Sequence, residues 1–311
     1  MRRYRTLALG AAMLALVMSA CSPGGSGSSS EQASASETAS KPDVSVGSAG
    51  FYEAAVVAEM YAQALEAKGY TVERHLEIGE RPAVHAAMDA GEINLIPEYL
   101  GGLAAQLTES AELSSDPQEA WDALQEPLNA KGWVAFDFSP GTDADGFAVR
   151  QETATDLGLE TMTDVAAVAD QLVWGLAPGC PENPVCGPGL NEVYGIDISA
   201  LDVETLAPCS PEMATALSNE VVDVAQVCTT QPDIVSSNFK LLDDDMHLQP
   251  AQNMLAVATQ ALADAAPADF AETINAALTT EVLTQLGVEI VVDQTEMADV
   301  AHTFLEDNGL L

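Results

Sequence analysis

Three features of the sequence predict an α/β chain of two similar lobes with a cleft between them. Strand-like and helix-like runs alternate as β-α-β-α-β from Val44 to Ile96, the order of a parallel sheet with helical crossovers. The same order restarts near Thr163 and runs to Val227. Two acid-rich stretches, Gly141 to Gly146 and Leu241 to Gln252, separate the repeats as two hinge crossings. A chain of 311 residues is long enough for two such bodies.

In order, Val44 to Val46 is a short strand, and Gly47 to Gly50 turns it into a helix from Phe51 to Ala67. Apolar residues recur there at three-to-four spacing, and Lys68-Gly69 ends it. Val72 to Leu76 is the next strand. Arg81-Pro82 opens a helix, with Pro at a tolerated position, and Gly91 stops it. Ile93 to Ile96 is a strand that breaks at Pro97 and presents Glu98 and Tyr99 just past its carboxyl end, where open α/β sheets hold ligands. Asp116-Pro117 opens another helix, and Gly132 to Phe138 reads as a strand. After the first crossing come a strand Phe147 to Arg150, a helix Asp164 to Ala169 capped by Thr163, and a strand Leu172 to Leu176. A helix through Leu190 to Tyr194 ends at Gly195. Val203 to Leu206 is a strand, Ser210-Pro211 opens a helix, and Val221 to Val227 is a strand. Beyond the second crossing, Asn253 to Thr259 carries the chain back to the first lobe. A long amphipathic helix Pro267 to Leu286, a strand Val288 to Val292 and a helix Glu296 to Asp307 complete it. The domain plan is therefore 42–140 with 253–311 as lobe 1, and 141–252 as lobe 2.

The N-terminus is a leader. Arg2, Arg3 and Arg5 precede an apolar run, Leu7 to Val17, too short to span a bilayer well, and small residues lead to Cys21. A Cys directly after Met18-Ser19-Ala20 is similar to the bacterial lipobox, in which that thiol is acylated; Met at the third position before it departs from the usual Leu. Residues 1–20 are then a signal peptide and 21–41 a lipidated Cys with a Ser/Gly tether. At roughly 5–6 Å × √n, about twenty residues reach some 25 Å from the membrane. Composition agrees with a folded body: 48% hydrophobic and 19% charged. The formal charge of −38 repels nucleic acid and anionic lipid, which excludes polyanion partners.

With Cys21 used by the lipid, Cys180, Cys186, Cys209 and Cys228 remain, an even number in an oxidising compartment. Three pairings are possible; the spacing favours Cys180–Cys186, closing the loop CPENPVC, and Cys209–Cys228. No CxxC is present and His75, His85, His247 and His302 are scattered, so neither a metal site nor a redox pair is expected. There is no GxSxG elbow, no HExxH and no free Cys nucleophile, so no enzyme and no cofactor is expected.

The segments VGSAGFYEAAVVAEMYAQALEAKGY, GEINLIPEYLGG, LGLETMTDVA, NEVVDVAQV and FLEDNGLL, in this order, resemble the glycine betaine/choline/carnitine (osmoprotectant) substrate-binding proteins of ABC importers. The resemblance covers the chain from about Asp43. It implies a type II periplasmic-binding-protein fold, and capture of a small cation or zwitterion by closure of a monomer. Delivery would then be to a permease driven by an ATPase. A sensory lipoprotein on the same fold is the alternative without transport. A quaternary ammonium is recognised by aromatic faces, and Tyr99 stands where the family motif PEY-x-G has its tyrosine. Elsewhere the aromatic positions differ. Family-like NTYAL is DADGF here, which puts Asp145 in place of a Tyr, and family-like PPYN is Pro250-Ala251-Gln252-Asn253. Family-like NFTEQ is Gly50-Phe51-Tyr52-Glu53-Ala54. With 5% aromatic residues, the remaining cage candidates are Phe51, Tyr52, Phe147 and Trp174. Asp143 and Asp145 are expected to face a cationic head group, unless they belong to a solvated hinge loop. Their exchange for rings suits a hydrogen-bond-donating cation, such as an amine or a histidine betaine, better than trimethylammonium. Ser48 is expected either to meet a ligand carboxylate with nearby backbone N–H groups or to cap the first helix. Thr229, Thr230 and Gln231, after the second-lobe strand, are expected to face the cleft.

Overall fold

The protein is described from a computed structural model covering residues 41–108, 113–267 and 269–311. The leader, Cys21 and the tether through residue 40 lie outside the described residues. Sheet 1 has the order β2-β1-β3-β10-β4, with β1 at Val44–Gly47, β2 at Val72–His75, β3 at Leu95–Tyr99, β4 at Trp133–Ala135 and β10 at Met254–Thr259. Sheet 2 has the order β7-β6-β8-β5-β9, with β5 at Asp145–Arg150, β6 at Val173–Leu176, β7 at Asp202–Thr205, β8 at Val224–Cys228 and β9 at Phe239–Leu241. Apolar clusters flank each sheet on both faces, so each lobe is a helix–sheet–helix sandwich.

The two orders are the same motif. β1 runs parallel to β2 and β3, and β6 runs parallel to β7 and β8, whereas β10 and β5 run antiparallel to their neighbours. The parallel order expected over Val44 to Ile96 holds for β1, β2 and β3, and the returning strand makes each whole sheet a mixed one. The reason is geometric. A strand arriving from the other lobe enters at the edge where the local strands end, so it runs against them.

Helix α1, Tyr52–Ala67, is buried on nearly every face, which is why its apolar residues spread around the cylinder. It packs between sheet 1 and the last helix, Met297–Asp307. Helix α2, Arg81–Ala90, begins with Pro at its second position and ends at Gly91, whose φ of 73° is the left-handed turn glycine makes at low cost. Helix α3, Leu100–Leu107, follows β3 directly, and α4, Pro117–Lys131, is capped by the Asp116 side chain on the N–H groups of Gln118 and Glu119.

Several boundaries differ from expectation. Pro97 lies inside β3 rather than ending it. Its register partner Ala256 accepts from Phe136 on the far side, so Ala256 and Pro97 form a non-hydrogen-bonded pair and the missing N–H removes no bond to β10. The expected strand Gly132 to Phe138 is only the three residues of β4. The helix Pro267 to Leu286 is two helices, Asp269–Ala277 and Thr280–Gly287, the second capped by Thr279. The break lets Leu278 accept from Gly141 of the first crossing at 2.9 Å. The strand expected at Val288 to Val292 is a wide helical turn continuing the preceding helix; its β-branched run carries strand propensity, but Asp293 donates back to Val288. The cap of the helix at Met162–Ala166 is Thr161, in a capping box with Asp164, and not Thr163, which donates to Asp245.

Disulfides join Cys180 to Cys186 and Cys209 to Cys228, the pairing the spacing favours. The second ties the approach to the helix Pro211–Ser218 to the end of β8. From sequence separations of 19 and 6 residues, replacing the Cys209–Cys228 pair by alanines should lower the unfolding free energy by about 3 kcal/mol, and the Cys180–Cys186 pair by about 2 kcal/mol. Denaturant titration of residues 41–311 reads both; no loss for either pair, or reactive thiols in the unreduced domain, would contradict the bridges.

Candidate functional site

Both sheets end their parallel strands toward the crossings. Tyr99 closes β3, residues 251–253 return beside it, and Asp143 lies in the first crossing, bridged to the second by the pairing of Thr142 with Asn253. Phe51, Arg81, Tyr99, Gly102, Asp143 and Gln252 line a pocket of about 180 Å³ here. Four of the six are residues that the sequence reading names.

Tyr99 is buried, and its hydroxyl donates to Glu53 Oε1 at 2.5 Å. Its ring lies 6.1 Å from that of Phe51 at a 30° tilt, and Phe51 is 41% exposed, so the two form an open aromatic wall. Glu98 and Tyr99, adjacent on a strand, point to opposite faces. Glu98 therefore does not face the ligand side expected at this strand end. It is buried under sheet 1, accepting from Arg81 Nε at 2.9 and 3.1 Å and from the Tyr99 N–H at 3.1 Å, with His85 Nε2 2.7 Å away.

Glu53, in the first turn of α1, and Arg81, at the start of α2, are residues near the site that sequence reasoning missed. Glu53 is 2% exposed, and its Oε2 has no hydrogen-bond partner among the described residues. The available signal was an acid next to Tyr52 at the start of a helix that is buried on nearly every face. Asp143 accepts weakly from the Thr230 N–H at 3.4 Å. Burial, and then the negative charge of Asp143, push the Glu53 carboxyl up from its ordinary range. Burial also raises Asp143 and Asp145. No salt bridge reaches Glu53 or Asp143 among the described residues, so burial favours their protonated forms and a bound cation would favour the ionised ones.

Lobe 2 approaches through Thr230, whose carbonyl accepts from the Tyr52 hydroxyl at 3.4 Å. Thr230 and Gln231 are buried. The Gln231 amide donates to Asp233 at 2.9 Å while its oxygen has no partner among the described residues. Thr229 turns inward, accepting from the Ala144 N–H and donating to the Thr142 carbonyl. Gln252 accepts from the Gly102 N–H at 3.1 Å and forms a wall of the pocket.

Other expected residues stand elsewhere. Ser48 is fully buried and accepts from the Glu77 N–H at 2.8 Å; it fastens a loop to β1 and does not cap α1, which starts after Phe51 without a side-chain cap. Asn253 donates to the Ser139 carbonyl at 3.0 Å, holding the two crossings together. Asp145 sits in β5 opposite Cys228, outside the pocket lining. It lies close to both sulfurs of the Cys209–Cys228 bridge, which are bonded to each other and offer no thiolate to a metal. Trp174 and Phe147 do not serve as cage rings. They pack edge-on at 5.7 Å inside lobe 2, because β6 and β5 present them to its core.

A raised acid binds its proton more tightly in the folded state, so folding loses stability as the pH climbs from the ordinary carboxylate range, about pH 4, toward the raised value. Glu53→Gln should flatten that decline, leaving the variant more stable than the wild type at pH 8 and no better at pH 4. Denaturant midpoints across this range test it, and parallel pH profiles would contradict the buried-acid assignment.

The substrate-binding domain of the ABC-type glycine betaine transport system matches residues 42–307. The chain is 27% identical over 307 residues to a carnitine transport binding protein of Listeria monocytogenes, covering 94% of this chain and 92% of that protein. It is 23% identical over 278 residues to the glycine betaine-binding protein YehZ of Escherichia coli, covering 86% and 90%. A crystal structure of a glycine betaine/carnitine/choline ABC transporter protein superposes with a TM-score of 0.79 at 25% identity, covering 86% of this chain and 99% of that one. By its repeated mixed sheets and this match over nearly the whole described chain, the protein belongs to the family of substrate-binding domains of ABC-type glycine betaine transport systems.

Proposed function

We propose that this chain is the extracytoplasmic, lipid-anchored binding protein of an ABC importer for a small cationic or zwitterionic solute of the glycine betaine and choline kind. Lobe 1 comprises 42–140 and 253–311, and lobe 2 comprises 141–252. The lobes close on the solute at the two crossings, and the loaded monomer docks on a permease powered by an ATPase. Acylation of Cys21 holds it at the outer face of the membrane.

The observation that carries the reading is the group Glu53, Asp143 and Tyr99. Asp143 lines a pocket sized for a small molecule beside the aromatic wall of Phe51 and Tyr99, Glu53 is buried behind that wall on the Tyr99 hydroxyl, and burial raises the proton affinity of both acids. A cation supplies the missing counter-charge, and the rings of Tyr99 and Phe51 supply its apolar face. A second reading keeps the fold and function but gives the head group N–H donors, as in an amine or a histidine betaine. Two rings line the pocket, whereas the Asp143 carboxylate on the same lining offers hydrogen-bond acceptors that a trimethylammonium cannot use.

Calorimetric titration with glycine betaine, carnitine, choline and a histidine betaine should find at least one ligand, whose affinity falls at least about tenfold in Asp143→Asn. Binding that is unchanged in that variant would overturn the assignment of Asp143. For the anchor, Cys21→Ala should move the protein from the membrane fraction to the soluble one. Continued membrane retention after that change would refute acylation at Cys21.

A further inference from the structure

We propose that Arg81 receives the anionic group of the solute, so that the pocket selects a zwitterion over a cation that lacks a carboxylate. This rests on the reading that the pocket takes a small cation. Arg81 is the first residue of α2, and its Nε donates to both oxygens of Glu98, at 3.1 and 2.9 Å. Glu98 is itself immobilised by burial, His85 and the Tyr99 N–H, so the guanidinium is held in one place. Its terminal nitrogens Nη1 and Nη2 donate to no acceptor among the described residues, yet Arg81 lines the pocket.

Gly102 makes this arrangement possible. A Cβ on Gly102 would stand 2.6 Å from Arg81 Cζ, so a side chain there would expel the guanidinium. The backbone does not compete for an anion at this spot, because the first N–H groups of α3 are already used. Leu100 donates to Asn253, Gly101 to Ala251 and Gly102 to the Gln252 side chain. What remains is a pre-positioned fork of N–H donors, which matches a carboxylate in two-point geometry. The Gln252 amide nitrogen, also without an acceptor among the described residues, stands nearby. Asp143 lines the same pocket, so one small volume holds an unspent cationic donor and a buried carboxylate, the complement of a dipolar ion. A cation ending in a hydroxyl would leave the terminal N–H groups of Arg81 desolvated without an anionic acceptor of their own when the lobes close.

The test is calorimetric titration of residues 41–311 with two matched pairs, glycine betaine against choline, and N,N-dimethylglycine against 2-(dimethylamino)ethanol. Within each pair the carboxylate is replaced by a hydroxymethyl group. We expect the acid of at least one pair to bind at least about tenfold more tightly than its alcohol. That preference should disappear in Arg81→Gln combined with Glu98→Gln, which leaves no unpaired buried acid, and in Gly102→Ala, which keeps both charges. If the double variant fails to fold, Gly102→Ala still decides the question. Equal binding of acid and alcohol by the wild type, or a preference that survives both variants, overturns the role of Arg81 alone. Binding of neither pair overturns the small-cation reading and this inference with it.

Discussion

Everything in this molecule follows from the chain having to pass between two lobes twice at one edge. Each sheet receives a strand from its partner, β10 in the first and β5 in the second, and each inserted strand runs antiparallel beside the last parallel one. That constraint sets Tyr99 against Met254 and Asp145 against Cys228. It also brings the crossings together at Thr142 and Asn253, where Asn253 and Ser139 secure them by side-chain hydrogen bonds to backbone. The candidate pocket is the space left between those crossings and the ends of the parallel strands.

Around that space, charge is arranged by what is buried and what is already paired. Glu98 is as buried as Glu53, but it is met by Arg81 and His85, whereas Glu53 has the Tyr99 hydroxyl on one oxygen and no partner on the other among the described residues. The two acids thus have different uses. Glu98 holds an arginine in position, and Glu53 and Asp143, without a cationic partner among the described residues, hold their protons more tightly than ordinary carboxyls. Adjacent strand residues face opposite ways, so one short segment, Pro97 to Tyr99, serves the two purposes at once.

Much of this could be read from the chain. The repeated helix-then-strand units ending in GEINLIP and EVVDVAQV correspond to β3 and β8, which hold the same place in their sheets. Tyr99 and Asp143 were legible as pocket residues because a strand end and a crossing carry them, and Phe51 and Gln252 because the resemblance to the family singled out their segments. Arg81 and Glu53 were not. Arg81 looks like a helix start beside Pro82, and Glu53 like an ordinary first-turn acid, until packing shows where each side chain goes. Trp174 and Phe147 misled in the other direction, since composition reports that rings are scarce but not that these two are spent inside lobe 2.

The sequence by itself indicated the class of fold and two crossings, because periodicity and turn residues are local properties; spacing favoured one of three cysteine pairings, and the family showed through a resemblance of ordered segments. The tertiary structure alone decided the strand directions at the hinge, the break at Leu278, the helical turn at Val288–Val292, and which acids are paired. Those depend on contacts between residues far apart in the chain, such as Gly141 with Leu278, Glu53 with Tyr99, and Arg81 with Glu98. Local propensity is too weak to specify them, and burial sets their energies only once both partners are in place.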